Sequence, residues 1–496
     1  MMPADFSLYP ALPEIALLLA ASAVLLAEAI WPARAGAIAS RLALVALLAP
    51  LAATLHQLDA GGRITGFGGM YVADTLAHLL KLCAYGAVAL SLAYGGRYNE
   101  ARQMQRGEFQ GLALFSLLGI MVMISANNLL VVYLGMELMM LSQYALVALR
   151  RDHAASTEAA MKFFVLGALA SGFMLYGMSM IYGATGNLDI PDVARAIAGT
   201  ANRTVLVFGV VFIVAGLAFE FGAVPFHMWT PDVYEGAPTS STLMIAAAPK
   251  LATFAIAFRL LVEALPAVSI DWQQMLMLLA VASLALGNVV GVAQRNLKRL
   301  LAYSTISQVG FILLGLAAGV VPGAAAEARA ALAHDAYGSS LFYVVTYVLT
   351  TLAGFGAVLL LSRAGFESEW LDDLKGLSRR SPGIAFALLV AMLSLAGLPP
   401  TVGFYAKLAV LQSVVAAGHV WIAVAAVVLS VVGAFYYLRV IKLMYFDAPQ
   451  QGAALESGQG ARALLGANGA AVLLLGILPG PLMTLCVDAI RQALGA

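Results

Sequence analysis

Apolar runs of about 20 residues recur from one end of the chain to the other, separated by short links that carry charge, glycine or proline. A helix of that length matches the thickness of the hydrocarbon core of a bilayer. The pattern therefore predicts fourteen membrane-spanning segments. They are expected near residues 11–30, 38–57, 75–94, 109–125, 127–149, 157–183, 204–233, 240–262, 272–294, 299–320, 335–362, 381–417, 419–444 and 463–486.

The composition agrees with this pattern. Of the 496 residues, 62% are hydrophobic and 11% are charged, whereas about 25% of the residues of a soluble domain are charged. The links are too short for a water-soluble catalytic domain. We therefore expect an all-α integral membrane protein in contact with the lipid bilayer. The net charge of +1 gives no strong basic field that would indicate a nucleic-acid partner.

Only two cysteines, Cys83 and Cys486, are present, and they lie far apart in apolar segments. An iron–sulfur cluster usually needs four cysteine ligands, so both are expected to be small buried apolar side chains. Spacings of His with Glu or Cys that would indicate a metal site are absent from the sequence. No redox centre, metal or cofactor is expected in this chain.

Lysine and arginine are concentrated in alternate links. Seventeen of the 27 follow odd-numbered segments and six follow even-numbered ones. Because positive loops are retained in the cytoplasm, both termini are predicted to lie on the periplasmic side of a bacterial inner membrane.

Two segments contain prolines that interrupt a helix. Pro225 lies in segment 204–233, and Pro399 and Pro400 lie in segment 381–417. Each break follows an Ala-Gly-Leu triplet, which is a weak sign of a repeat. Proline breaks are tolerated in lipid only where protein or water satisfies the freed backbone groups. Broken helices at corresponding positions of two halves are typical of ion pathways in transporters.

Several ionisable residues lie deep in the predicted segments. Placing such a charge at the bilayer centre costs about 2.5–3.5 kcal/mol on insertion scales, so the residues indicate function. The candidate proton-relay residues are Glu137, Lys162, Glu220, Lys250 and Lys407. Tyr144, His227 and the prolines Pro225, Pro399 and Pro400 are possible supporting residues.

Glu137 needs a partner from another helix, because no basic residue lies within one helical turn of it. Lys162, about a turn and a half inside the next segment, is the natural candidate for an ion pair. Helix pairing without conduction remains an alternative for any one of these residues. Lys81, near the end of a segment, is expected either to extend its amine to the membrane surface or simply to join helices.

The segment Val-Pro-Phe-His-Met-Trp-Thr-Pro-Asp-Val-Tyr-Glu-Gly-Ala-Pro-Thr at 224–239 resembles the signature of the antiporter-like subunits of respiratory complex I. Its Val-Tyr-Glu-Gly-Ala-Pro-Thr ending is similar to that of the N-type subunits, the counterparts of mitochondrial subunit 2. Segments 248–250, 296–304, 374–382 and 397–407 also match this family. The similarity covers nearly the whole chain.

The resemblance implies fourteen helices with two inverted five-helix repeats and broken seventh and twelfth helices. The implied divisions are 1–108 for the first three helices, 109–262 and 263–444 for the two repeats, and 445–496 for a polar loop and the last helix. Family roles carry over to the Glu137–Lys162 pair, to Lys250 as a central lysine and to Lys407 as the twelfth-helix site.

Two residues depart from the family pattern. Glu220 stands where the family usually has lysine, and Gln308 stands where it often has histidine. Replacing lysine by glutamate inverts the local charge. Glu220 is therefore either paired with a base from another helix or titrates by itself.

The resemblance implies proton translocation driven by electron transfer from NADH to quinone in other subunits. NADH, FMN, Fe–S clusters and quinone are expected in or near those subunits, and M-type, K-type and J-type membrane subunits are the expected partners. Two alternatives remain at this point. One is a subunit of a multisubunit cation/proton antiporter, and the other is a structural subunit that does not conduct.

Overall fold

The computed structural model describes residues 7–30, 35–104, 107–199, 202–323, 325–362, 366–449 and 458–495. These residues form 21 α-helices and one short β-hairpin. The first eleven helices are α1 Leu12–Ile30, α2 Ala35–Ala46, α3 Leu48–Ala60, α4 Thr75–Ala101, α5 Glu108–Ile124, α6 Leu129–Val147, α7 Ala154–Thr185, α8 Ile190–Ile197, α9 Arg203–Phe221, α10 Trp229–Gly236 and α11 Thr239–Ala246. The remaining ten are α12 Pro249–Ala257, α13 Ser269–Ala293, α14 Leu297–Ala318, α15 Ala326–Leu361, α16 Leu377–Arg380, α17 Pro382–Ala396, α18 Val402–Ala416, α19 Val420–Tyr445, α20 Gln459–Ile477 and α21 Gly480–Ala493.

The predicted number of membrane crossings is confirmed. Within the described residues, twelve helical stretches are long and apolar enough to span a bilayer. The shorter helix α5 is a further crossing, and α17 and α18 together make one more, which gives fourteen. The polar loop predicted after α19 lies partly outside the described residues, at 450–457.

Some boundaries differ from the predictions. The last crossing ends at Ile477 rather than near 486, and α21 follows as a separate helix. Pro479 causes this end, because proline disfavours helical geometry in the residue before it. The eighth crossing is also interrupted, between α11 and α12, and it ends in a π-helical turn, Phe258–Ala264.

A β-hairpin precedes α4. Strand β1, Ile64–Gly66, pairs antiparallel with β2, Tyr71–Ala73. Gly68 and Gly69 adopt positive φ angles of 66° and 95° in the turn, a conformation that favours glycine. The hydrophobic pattern predicted a loop here, because three residues per strand are too few to show an alternating pattern.

Helices α5 and α6 approach closely through small residues. A Cβ atom on Gly119 would lie 2.4 Å from the backbone nitrogen of Met139, and one on Gly135 would lie 2.8 Å from the backbone nitrogen of Met123. Small residues allow this close approach between membrane helices, where van der Waals packing drives association. The contact fixes the position of α6, which carries Glu137.

We predict that Gly119→Leu destabilises the folded protein by about 1–3 kcal/mol, because the backbone of α6 cannot move away from an added side chain without loss of packing. Lower yield in the membrane and a lower thermal transition would be the measured effects. Gly86→Leu is the matched control, because a Cβ on this exposed glycine of α4 would meet no atom within 4 Å. Equal yields of the two variants would contradict the prediction.

Candidate functional site

The seventh crossing breaks in the middle, and a lysine binds the broken end. Helix α9 ends at Phe221, and Gly222 follows in the left-handed conformation with φ 76°. The Lys250 Nζ donates hydrogen bonds to the backbone oxygens of Glu220, at 2.8 Å, and Phe221, at 2.9 Å. Helix C-termini carry unsatisfied carbonyls and a partial negative charge. The Lys250 ammonium therefore lies where both stabilise its charge.

The twelfth crossing has the same arrangement. Helix α17 ends at Ala396, and Gly397 follows with φ 80°. The Lys407 Nζ donates to the backbone oxygens of Leu395, at 2.9 Å, and Ala396, at 3.2 Å. Each broken helix thus presents its last two carbonyls to one lysine.

Gly222 and Gly397 occupy corresponding positions in the two broken helices. Each follows the end of its helix in the left-handed conformation, with a proline three residues later. The interpretation that each break follows an Ala-Gly-Leu triplet is therefore wrong for the seventh crossing. Gly216, from the first triplet, lies inside α9 and packs against Met174. Its close contact with α7 explains the small residue without any repeat.

Glu220 is buried beside Lys250 but does not form an ion pair with it. The carboxylate is in a residue that is 7% exposed, and it makes no ion pair with any described residue. Lys250 contacts the backbone of Glu220 instead. Lys250 and Glu137 are the charged groups that act on Glu220 electrostatically.

Glu137 is half-buried on α6 and contacts α7. Its carboxylate accepts a short hydrogen bond from the Ser171 hydroxyl, and that hydroxyl lies 3.2 Å from the hydroxyl of Tyr133. The predicted Glu137–Lys162 ion pair is absent from the described structure. Ser171 and Lys162 are nine residues apart on α7, which is about 13 Å along a helix. Glu137 and Lys162 therefore lie at different depths.

Lys162 belongs to a charged cluster at the end of α7. Its side chain is 44% exposed, and its Nζ lies 2.8 Å from carboxylate oxygens of both Glu158 and Asp232. Glu158 is one turn earlier on the same helix, where an acidic residue pairs well with a later lysine. Arg299 of α14 binds Asp232 and Glu235 at 2.8 Å each. Asp232 thus joins α7, α10 and α14.

The cluster lines a cavity of about 430 Å³ between α7, α10 and α14. We call this cavity the charged vestibule. Its titratable lining residues include His153, Glu158, Lys162, Asp232, Glu235 and Glu367. Asp232 and Glu235 both lie in segment 224–239. That segment carries the family resemblance, but the sequence did not show what these two residues contact.

An aromatic stack lies between the vestibule side of α7 and Lys250. Phe163, next to Lys162 in sequence, stacks on Trp229 with ring centroids 4.7 Å apart. The Lys250 Nζ lies 5.5 Å from the centroid of the Trp229 ring. Both aromatic residues are buried, at 1% and 3% exposure. A dry aromatic contact therefore separates the vestibule from the first buried lysine.

A buried polar network lies beside Lys407. The Gln308 amide donates to the Leu395 carbonyl, at 2.9 Å, and to the Tyr437 hydroxyl, at 3.0 Å. Tyr343 donates to the Gln308 side-chain oxygen. The Leu395 carbonyl is the same oxygen that binds Lys407. Gln308 and Lys407 are therefore joined through one backbone atom.

The network continues along α14. The Ser304 hydroxyl lies 2.5 Å from that of Tyr437, and the Tyr347 hydroxyl donates to Thr305 at 2.8 Å. The relay predicted from charged residues missed these neutral groups. The signal was present, because Ser304, Thr305 and Gln308 are polar residues within little more than one turn of a helix that is almost fully buried.

The predicted supporting residues lie around these sites. Tyr144 lies close enough to Glu137 and Glu220 to interact with both electrostatically. His227 is half-buried, and Pro225, Pro399 and Pro400 are exposed on the outer surface of the chain. The prolines therefore end helices without lining the interior.

Lys81 joins two helices, which is one of the two alternatives expected for it. Its side chain is fully buried, and its Nζ lies 2.7 Å from a carboxylate oxygen of Glu14 on α1. The identity of this partner could not be read from the sequence, because the two residues are 67 positions apart. Among the described residues, no group of three His, Cys, Asp or Glu side chains is arranged to hold a metal ion.

Comparison with known proteins gives consistent matches. Residues 126–433 match the family model described as NADH:quinone oxidoreductase/Mrp antiporter, transmembrane. A protein of Herminiimonas arsenicoxydans named NADH-quinone oxidoreductase subunit N is 56% identical over 99% of this chain and 100% of its own length.

Solved structures match over similar lengths. A chain of respiratory complex I from Thermus thermophilus is 32% identical, with a TM-score of 0.80 over 96% of this chain and 99% of that chain. A chain of the Mrp complex from a Dietzia species is 21% identical, with a TM-score of 0.81 and 97% coverage of both chains, and it shares the fold. On the family match and the identity over its full length, this chain belongs to the NADH:quinone oxidoreductase/Mrp antiporter family, and within it to the N subunits of NADH-quinone oxidoreductase.

Proposed function

We propose that the chain conducts protons from the charged vestibule to Lys407 through Glu137, Glu220, Lys250 and the Gln308 network. The observation that carries the proposal is the pair of buried lysines, each bound to the open end of a broken helix. A lysine that only joins helices would have a carboxylate partner. Lys250 and Lys407 have backbone carbonyls instead, which favour the charged lysine without making it permanent.

Each lysine is held between two opposing effects. Burial away from water favours the neutral amine, and the carbonyls with the helix dipole favour the ammonium. A buried lysine with no fixed counter-ion can therefore gain or lose a proton when a nearby charge changes. Glu220, beside Lys250, is the nearest such charge in the first half of the chain. This role would explain how the relay works with a glutamate at position 220, where the family usually has lysine.

Gln308 has a different task, since an amide does not titrate at physiological pH. It orients the Tyr343 and Tyr437 hydroxyls through two hydrogen bonds, and its amide donates a third to the Leu395 carbonyl. Hydroxyl groups donate and accept, so they pass a proton without holding charge. A histidine at this position would store a proton, whereas glutamine keeps the connection to Lys407 neutral.

The proposed orientation places the vestibule on the cytoplasmic side and both termini on the periplasmic side of a bacterial inner membrane. The distribution of lysine and arginine supports it. The divisions 109–262 and 263–444 are proposed as the two inverted repeats, which agrees with broken helices at the seventh and twelfth crossings. An odd and an even crossing run in opposite directions through the membrane.

The energy source is proposed to be NADH–quinone electron transfer in other subunits, which would hold NADH, FMN, Fe–S clusters and quinone. The full-length relative at 56% identity bears the oxidoreductase name. This favours complex I over an independent antiporter, for which the Mrp likeness supports the fold alone. M-type, K-type and J-type membrane subunits are the proposed partners. The outer faces of α6 and α7 offer apolar surface for them, with Leu134 and Met161 more than 60% exposed.

We predict that Lys407→Arg abolishes proton translocation while the complex still assembles. Arginine can donate to the same carbonyls but does not lose its proton in proteins. The measurement is NADH-driven proton uptake into inverted membrane vesicles, relative to quinone reduction. Lys407→Met, which loses the carbonyl contacts as well, is the comparison variant. Normal proton uptake by Lys407→Arg would favour the structural, non-conducting subunit.

We also predict that Glu137→Gln removes most proton translocation per electron. Glutamine preserves the size of the side chain and its contact with Ser171, but it cannot change charge. The control is Glu158→Gln on α7, because Glu158 is largely exposed and Lys162 keeps its contact with Asp232. Equal proton uptake by Glu137→Gln and Glu158→Gln would exclude Glu137 from the route.

A further inference from the structure

A second set of buried ionisable residues lies outside the proposed route, on one face of α4. Asp74, His78 and Lys81 follow one another at spacings of four and three residues, which places them on the same side of a helix. That side faces the interior, since the three residues are at most 2% exposed. Glu14 of α1 reaches the same place and lies 2.7 Å from Lys81.

The Glu14–Lys81 pair differs from a structural ion pair in its hydrogen bonding. Apart from each other and the Tyr71 hydroxyl, which faces Glu14, neither the Glu14 oxygens nor the Lys81 nitrogen has a hydrogen-bond partner in the described part of the chain, and His78 Nε2 has none. Buried ion pairs are stable when further hydrogen bonds satisfy their remaining donors and acceptors. Three adjacent titratable groups with unused hydrogen-bonding capacity are instead suited to exchange protons.

By contrast, the carboxylate oxygens of the neighbouring Asp74 both have hydrogen-bond donors. Arg259, in the π-helical turn, donates to both Asp74 carboxylate oxygens at 3.0 Å and to the Ile124 carbonyl at 3.0 Å. Arginine does not deprotonate in proteins, so this pair keeps a fixed charge. Asp74, one turn from His78, therefore keeps its negative charge and does not itself exchange protons with the site.

Charged residues connect Asp74 to the protein surface. Arg259 contacts Glu263 at 3.3 Å, and Glu263 lies 3.9 Å from Arg63, whose side chain is 38% exposed. Arg63 is next to strand β1, on the side of the chain where α1 and α4 begin. The ionisable groups that interact electrostatically with Glu14 or Lys81 are Tyr71 of β2 and His78 and Tyr85 of α4.

We propose that Glu14, His78 and Lys81 form a second proton-binding site, which exchanges protons with the side of the membrane where α1 begins. In the unloaded site, Glu14 is a carboxylate, Lys81 an ammonium and His78 a neutral imidazole. Loading forms one O–H bond on Glu14 and adds one proton to the site. A proton that enters the site at His78 reaches Glu14 through Lys81: the imidazolium transfers a proton to the lysine amine after the ammonium has given its own to the carboxylate.

The site gives the N-terminal helices a role in conduction. The eighth crossing carries Lys250 in α12 and Arg259 in the π-helical turn that follows, so one helix links the relay to the second site. The role of this site in releasing pumped protons rests on the proposed function of the relay. The ability of the site to bind a proton is independent of that proposed function.

The test uses the intact complex in inverted vesicles, with Glu14→Gln, Lys81→Gln and the double variant Glu14→Gln/Lys81→Gln. The double variant is decisive because it leaves no unpaired charge and so assembles even if a single variant does not. We expect it to reduce quinone at the wild-type rate with a loss of proton uptake per electron. We also expect loss of the infrared carboxyl band that titrates in the wild-type complex. His78→Gln should lower proton uptake in the same way.

Gln110→Leu is the matched control, since it removes a buried 2.9 Å hydrogen bond to Ser40 between α5 and α2 without removing a titratable group. Wild-type proton uptake and an unchanged carboxyl band in the double variant would overturn the second site and leave a structural ion pair. An equal loss in Gln110→Leu would overturn it as well. Lys407→Arg in the same vesicles separates the two proposals: if that variant also pumps normally, the relay itself is wrong.

Discussion

The structure depends on how the terminal carbonyls of a helix that ends halfway through the membrane find hydrogen-bond donors. The last four carbonyls of a helix have no partners within it, and lipid offers no hydrogen-bond donor to replace them. In α9, backbone nitrogens and the Trp229 indole bind the Ala218 and Phe219 carbonyls, and Lys250 binds the remaining two. In α17, Lys407 takes the same two positions. The breaks and the lysines therefore require each other.

This dependence explains why a costly residue is retained in each half. Without the lysine, two buried carbonyls would lack a donor, and without the break, the lysine would have no acceptor. Each lysine is thus stabilised by groups that cannot neutralise it. The Gln308 network joins this arrangement because it shares the Leu395 carbonyl with Lys407. Stability and conduction use the same hydrogen bonds.

The crossings and the buried lysines could be predicted from the sequence, because both depend on the cost of placing each residue in lipid. The ion-pair partners of the charged residues could not be predicted. Lys162 was expected to bind Glu137, but the exposed end of α7 gives it Glu158 and Asp232. Lys81 was expected to reach the surface or to join helices, and it does the latter, but its partner Glu14 of α1 could not be foreseen.

The neutral part of the network was missed for a different reason. Ser304, Thr305 and Gln308 carry no charge, and their cost in lipid is small enough that hydropathy does not register it. Their partners come from α15 and α19, so only the folded arrangement of helices shows that they form one network. Helix ends were also imprecise, as at Ile477, because they depend on single residues such as Pro479 rather than on a periodic pattern.

The stacked rings of Phe163 and Trp229 have a consequence for leakage. The two rings are in contact, and neither offers an atom that can carry a hydrogen ion directly between the charged vestibule and Lys250. The contact closes this short path, so a hydrogen ion on the proposed route has to travel by way of Glu137 and Glu220, whose charge can change. Leakage along the short path is thus prevented by two side chains that have no acid–base chemistry.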